Sequence, residues 1–337
     1  MLHKAAEFSE KRKVPLLIFF AAFTIVYPYV FTTPFLIRMG TLILMNIMLA
    51  LSLNLLTGML GYISFGHAGF LGIGAYTAAI LAKYYGIGSE ITFIAAAVLA
   101  GAFGLLLGLT VLKLKGYHFA IVTMVFCEIM RAVELNWIDL TRGPMGITAI
   151  PKISFFGQRI TSNVGIYYTI LVLVVLTVII ITNLMNSRVG IAVLAIRDDD
   201  LVAATMGVNA FKYKVIVFVI SSMLAGVSGA FYAQYITYID PTNFSLLKSN
   251  EVLVLTIFGG LGNIVGSFLG AIVLTSLPEL LRGLLDYRML IYGAMLVFLM
   301  HVRPHGILGS INFKYIKQQR LQKQEIILAE SEAKNSS

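Results

Sequence analysis

The chain has 337 residues, is 58% hydrophobic and only 12% charged, and carries a formal net charge of +9. Soluble domains hold roughly 25% charged residues, so this composition excludes a water-soluble globule and specifies a polytopic membrane protein. The positive balance does not imply nucleic acid, because Lys and Arg are scattered between apolar runs instead of gathered in one patch.

Residues 1–13 form a basic segment with Lys4, Lys11, Arg12 and Lys13. The apolar run 14–31 is longer than a signal-peptide core and has no A-x-A site after it, so it reads as a first membrane helix. Charge-free runs then cover 39–82, 91–112, 160–187, 215–239 and 252–278, with a shorter one at 289–302. A span needs about 20 apolar residues, so 39–82 holds two helices with a break near Thr57-Gly58 or at Gly61. A helix near 117–137 carries Glu128, Arg131 and Glu134, spaced so that Arg131 reaches both acids. The single cysteine, Cys127, lies in this apolar stretch and reads as a buried structural thiol. Residues 138–164, rich in Gly, Pro and Thr, read as one long external loop.

The run 252–278 contains GGLGN at 259–263, either the turn between two short helices or the break in one discontinuous helix. The expected fold is an all-α integral membrane bundle of about 8–10 transmembrane helices. On the ten-helix count, 16 of the 25 Lys and Arg fall on the side of the N-terminus and of the loop 188–214. That asymmetry places both termini and that loop in the cytoplasm. The expected organisation is a cytoplasmic segment 1–13, a transmembrane domain 14–309 with a cytoplasmic loop at 188–212, and a polar cytoplasmic tail 310–337.

Small residues recur every fourth position: Ala96, Ala100, Gly104 and Gly108; Ser222, Gly226 and Ala230; Gly262, Gly266 and Gly270. On a helix such residues share one face and let a neighbouring backbone approach, which is how helices associate in lipid. Residues 56–80 are denser still, with glycines at 58, 61, 66, 69, 72 and 74, and point to unwound backbone of the kind that lines transport sites. His67 sits inside this cluster. A histidine in a span either serves function or holds the break together through hydrogen bonds.

The segment RDDDLVAATMGVN, 197–209, places three acids where a helix would begin, followed by under two turns of helix former. Acids complement the positive helix N-terminus and one of them can cap it, while Gly207 with Asn209 supplies a left-handed stop. A short capped helix in a cytoplasmic loop is either an ordered connector or an acidic docking knob for another protein.

Four strings carry a resemblance. AIRDDDLVAATMGVNAFKYKVIVFVISSMLAGVSGAFYAQY (195–235), FGGLGNIVGSFLGAIVLTSLPELL (258–281), YRMLIYGAMLVFLMHVRPHGILG (287–309) and GYISFGHAGFLGIGAY (61–76) resemble the M-type permease subunit of bacterial branched-chain amino-acid importers of the ABC class. The resemblance runs from about Met45 to Gly309. It implies a subunit of the bacterial inner membrane that pairs with a second, related permease, two cytoplasmic ATPases and an external binding protein. The loop helix would then be the ATPase-coupling element, with Arg197, Asp198, Asp199, Asp200, Ala203, Ala204 and Gly207 as its contact residues. The general importer pattern E-A-A-x-x-x-G is met at Ala203 and Gly207, while Leu201 and Val202 replace its first two residues. No G-x-x-x-x-G-K-[ST] string occurs, so ATP and Mg2+ would belong to the partner subunits and the chain itself would hold no cofactor or metal. Asn46, Asn54, Ser64 and His67 are the expected path-lining groups.

Leucine, isoleucine and valine are the cargo by resemblance, with urea, sugars and nucleosides as the cargoes of related permeases. An ion-driven carrier acting alone would want paired acids in mid-span, and most spans have none. An intramembrane enzyme would want a nucleophile elbow or a ligand set, and neither string appears.

Overall fold

A computed structural model describes residues 33–114 and 116–280, together with Thr24, residues 26–31 and Gly293. The expected spans over most of 14–31 and over 289–302, the segment 1–13 and the tail 310–337 lie outside the described residues.

Helix α1, Pro34–Asn54, begins on a proline that needs no N–H partner there and runs on as a π-helical stretch, Leu55–Leu60. Gly61, at φ +85°, ends it in a conformation that a side chain resists. The chain is non-helical from there to Gly66, where the Ser64 hydroxyl accepts the Gly66 N–H. Helix α2, His67–Tyr84, follows. The break therefore falls at Gly61–Gly66, and Thr57-Gly58 sits inside the π-helical stretch.

Helices α3, Ser89–Val111, and α4, Tyr117–Asn136, follow. The segment 138–164 is more structured than a plain loop. It holds the single turn α5, Ile138–Thr141, a 3-10 turn at Gly143–Met145, and the antiparallel hairpin of β1, Ser154–Phe155, and β2, Gln158–Arg159. An isolated bridge, Ile147 to Ile239, ties this cap to the far end of the bundle. Helix α6, Asn163–Asn186, leads to two short helices, α7, Arg188–Asp198, and α8, Asp200–Thr205. Helix α9, Ala210–Ile236, is about 40 Å long at 1.5 Å per residue. The doubtful run resolves into two helices, α10, Leu246–Gly259, and α11, Ile264–Leu280, folded back on each other.

Among the described residues, four stretches are long and apolar enough to cross a membrane: 34–60, 89–111, 163–186 and 210–236. Helices α3 and α6 leave Ile94, Val98, Leu106, Val172, Leu176 and Ile179 on the outside. An apolar exterior over a packed interior is the pattern of a bundle solvated by lipid.

The centre is made by α2, α3 and α9. Ala96, Ala100 and Gly104 face α9, where a Cβ on Gly226 would lie 2.7 Å from the Ala96 carbonyl oxygen. Gly104 meets Ser222, and Gly108 meets Phe218. Between α2 and α9, Gly74 touches the Gly226 backbone and Gly229 touches the Leu71 carbonyl. In the third stripe Gly266 and Gly270 of α11 pack on α10, against Gly259 and Leu255. Gly262 is not on that stripe; at φ +77° it belongs to the turn between the two helices.

Candidate functional site

Two sets of residues were expected to carry function: the acid-led stub and the polar groups around the break. At the stub, Ser187 caps α7, accepting from the Val189 N–H at 3.2 Å. Of the three acids, Asp199 caps α8, accepting from Leu201 N–H at 2.9 Å and Val202 N–H at 3.1 Å. The end of α8 is closed by two carbonyls, Ala204 accepting from Gly207 N–H and Ala203 from Val208 N–H, with Gly207 at φ +80°. This is the pairing of a Schellman stop. Asn209 does not extend the stop; its side chain caps α9 at Lys212 N–H. The stub is thus fixed at both ends by local chemistry.

Its three acids do not act alike: Asp198 and Asp199 are exposed, and Asp200 is not. Asp200 turns inward, and its Oδ2 accepts from Lys214 Nζ at 2.8 Å. Lys214 is only 4% exposed and lies 5.2 Å over the Tyr62 ring. Asp199 is occupied as a cap, and Ala203 is buried. The outward surface of α8 is apolar: Leu201 is 74% exposed and Met206 80%, with Val202 beside them. Sequence reasoning missed these three residues and Lys214. Ala203, pointing inward, was the available signal, because it fixes 201, 202, 205 and 206 as the outer face of so short a helix.

Arg197 joins the stub to both breaks. Its Cγ lies 3.4 Å from the Cβ position of Gly61, and its Nη1 3.2 Å from that of Gly262. Beneath it, Asn54 closes the π-helical stretch onto the α10–α11 turn. Its Nδ2 donates to Asn263 O at 3.1 Å and Ser267 Oγ at 2.9 Å, and its Oδ1 accepts from Gly262 N–H at 2.7 Å.

The expected path-lining residues are all at most 5% exposed. Asn46 donates to Thr275 Oγ1 at 3.0 Å, joining α1 to α11. Ser221 on α9 donates to Ser52 O at 2.6 Å, so its oxygen is left to accept from His67 Nε2 at 3.3 Å. Ser64 holds the turn into α2. These side chains join helices, and none of the four borders the ≈ 480 Å3 cavity beside the stub.

On α4 the Arg131 guanidinium pairs with Glu128 at 2.8 Å but not with Glu134. Successive positions three apart wind about 60° round a helix, which turns Glu134 away into the bundle over Gly72. There it is 4% exposed and neither carboxylate oxygen has a hydrogen-bond partner among the described residues. Cys127 is buried beside Ser249 and Phe244.

Comparison with known proteins places this geometry. Residues 35–300 match a family model described as "Branched-chain amino acid transport system / permease component". The chain is 35% identical over 303 residues to the high-affinity branched-chain amino acid transport system permease protein LivM of Escherichia coli, covering 82% of this chain and 71% of that protein. It is 24% identical over 282 residues to the E. coli permease protein LivH, covering 78% and 90%. A probable LivH of Methanocaldococcus jannaschii is 24% identical over 304 residues, covering 83% and 93%. No solved structure matches the chain. A polytopic helical bundle matched over most of its length in this way belongs to the branched-chain amino acid transport permease family.

Proposed function

We propose that the chain is the membrane-spanning permease subunit of an ATP-driven importer, carrying leucine, isoleucine and valine inward across the bacterial inner membrane. Its partners are a second, related permease, two cytoplasmic ATPases and an external binding protein. The chain holds no cofactor and performs no chemistry of its own; ATP and Mg2+ are handled by the ATPases. The termini and the stub face the cytoplasm, in keeping with the Lys and Arg asymmetry. The names of the LivM and LivH relatives support the cargo and the pairing.

The observation that carries this reading is the apolar outer face of a helix rigidly capped at both ends. Leu201, Val202 and Met206 form an exposed apolar patch in a loop that joins two spans. A fixed handle of this kind suits a groove on a motor protein, with Asp198 and Ala204 at its edge. Closure of the ATPases pushes α8, and the push has two routes inward. The Asp200–Lys214 pair passes it to α9, and Arg197 passes it to the Gly61 and Gly262 breaks. Helices α2, α3 and α9 touch through backbone and move as a block, so the bending falls at the two breaks. Of the expected path-lining groups, Asn46, Asn54 and Ser64 act as joints of this motion, while His67 fastens α2 to α9 within the block. Weak contact with the cargo suffices where a binding protein delivers it.

Reconstitution with all partners in proteoliposomes tests the reading. ATP-dependent leucine uptake is expected, and deletion of 198–207 is expected to abolish it. Uptake that survives the deletion contradicts the role of the stub.

A further inference from the structure

A cavity of ≈ 480 Å3 lies beside the stub, within the roughly 300–1,000 Å3 range of small-ligand sites. Its walls come from several elements that meet at this end. Tyr62, Ile63 and Phe65 belong to the break between α1 and α2, Ala120 to the start of α4, and Ile196 to α7. Asp200 and Lys214 are its charged groups.

The lining is mostly apolar, with one ion pair set into it, of which Lys214 is buried and Asp200 partly so. Lys214 Nζ has three donors. One reaches Asp200 Oδ2 and the ammonium also sits over Tyr62, which leaves donor capacity toward the space between them. A molecule that carries both a carboxylate and an ammonium offers each member of the pair an opposite charge without leaving either charge alone, the costly outcome for such a pair. The lining is apolar apart from Asp200, Lys214, Tyr62 and Tyr117, which suits two charges on one small molecule with an aliphatic side chain better than the many dispersed hydroxyls of a sugar or nucleoside. The chemical class is therefore a zwitterionic amino acid with an aliphatic side chain.

We propose that this cavity binds the imported amino acid from the cytoplasmic side and braces the coupling corner, so that accumulated cargo slows its own import. The inference rests on the import reading above for the cargo and the orientation. The physical reason is differential affinity: a ligand shifts a conformational equilibrium only as far as it prefers one state. An occupant touching α7, α8, α9 and the break at once is bound tightly only while those elements keep their present spacing. A push on α8 that moves Asp200 from Lys214, or Ile196 from Tyr62, has to break its contacts. Millimolar affinity suffices for a cytoplasmic amino-acid pool, in keeping with a site that has two charged anchors.

The test uses the complete complex in proteoliposomes, with ATP inside, binding protein outside, and unlabelled leucine inside or absent. The initial rate of labelled leucine uptake is expected to fall about tenfold when lumenal leucine stands at ten times its dissociation constant, the saturation of one site. Lumenal leucinamide and 4-methylpentanoate, each lacking one of the two charges, are expected to leave the rate unchanged. Ala120→Phe fills the cavity away from the ion pair, and Ile63→Trp narrows its mouth. In both, the ratio of loaded to empty rate is expected to return to about one, and because a ratio is read, a variant slowed for another reason still reports. Uptake indifferent to lumenal leucine overturns the inference and leaves the import reading intact. Inhibition undiminished in both variants overturns it too, by placing the effect elsewhere. A complex that hydrolyses ATP but takes up no leucine overturns both.

Discussion

The centre of the bundle and its stub end are built on opposite principles. In the centre, α2 and α3 meet α9 through Gly74, Gly226, Gly229 and Ala96, backbone against backbone. At the stub end, α1, α7, α9 and the α10–α11 turn meet through long polar side chains: Asn54, Arg197, Lys214 and Asp200. Backbone contact gives close packing that cannot shift without loss of many small attractions at once. Polar joints at two chain breaks can exchange partners one at a time. The difference separates a block that keeps its shape from a corner that can bend. Substitutions in the block are expected to act on stability, and those in the corner on transport.

The largest effect on stability is expected from Gly74→Val. Its side chain would meet the Gly226 carbonyl, and no rotamer removes that clash. A loss of about 3 kcal/mol or more follows from overpacking at backbone, read as a lowered melting temperature in detergent or failure to recover folded protein. A variant that melts like the parent would erase the distinction between block and corner. Asn54→Leu comes next. It removes all three hydrogen bonds that tie Asn54 of α1 to the α10–α11 turn, at about 1 kcal/mol each at most, since Gly262 is exposed and Asn263 O keeps Ser267 as a donor. Its expected signature is a larger loss in uptake rate than in melting temperature, since it loosens the turn that Arg197 spans. Asp199→Ala is the mildest in stability. Loss of the α8 cap costs about 1 kcal/mol, a few degrees at most in a thermal melt. On the proposed coupling role, uptake should nevertheless fall severalfold, because α8 frays at its start. Normal uptake by this variant would mean that helicity of α8 does not matter to coupling.

Much of this architecture was readable because the signals are local. Runs of apolar residues located the spans, and four-residue spacing of Ala and Gly picked out the faces of α3 and α9 that meet. Gly207 announced a stop that needs only its own backbone. Local pattern also set the limits. Gly262 fell into register with Gly266 and Gly270, yet the preceding GGLGN turn takes it off the helix. Of the two breaks the sequence allowed, Thr57-Gly58 and Gly61, the chain uses Gly61, while Asn54 ties the π-helical stretch to the α10–α11 turn, some 200 residues away in sequence. The three acids looked alike in sequence. Only the fold gives Asp199 to a cap and Asp200 to Lys214, and sets the exposed Leu201, Val202 and Met206 beside the exposed Asp198 and Asp199. Glu134 was read as a partner of Arg131 from spacing alone, and its turn into the bundle over Gly72 is a tertiary fact.

The central claim is that the apolar face of α8 is seated in an ATPase. The protein's single cysteine, Cys127, is buried, so Met206→Cys introduces one reachable thiol, which a maleimide–benzophenone reagent can label. Met145→Cys, exposed on the opposite end of the bundle, is the control. Illumination of the assembled complex is expected to attach the Met206→Cys probe to an ATPase subunit, with a yield that changes when ATP is bound, while the control probe attaches to none. A Met206→Cys probe that reaches no ATPase, or a control probe that does, would contradict the account.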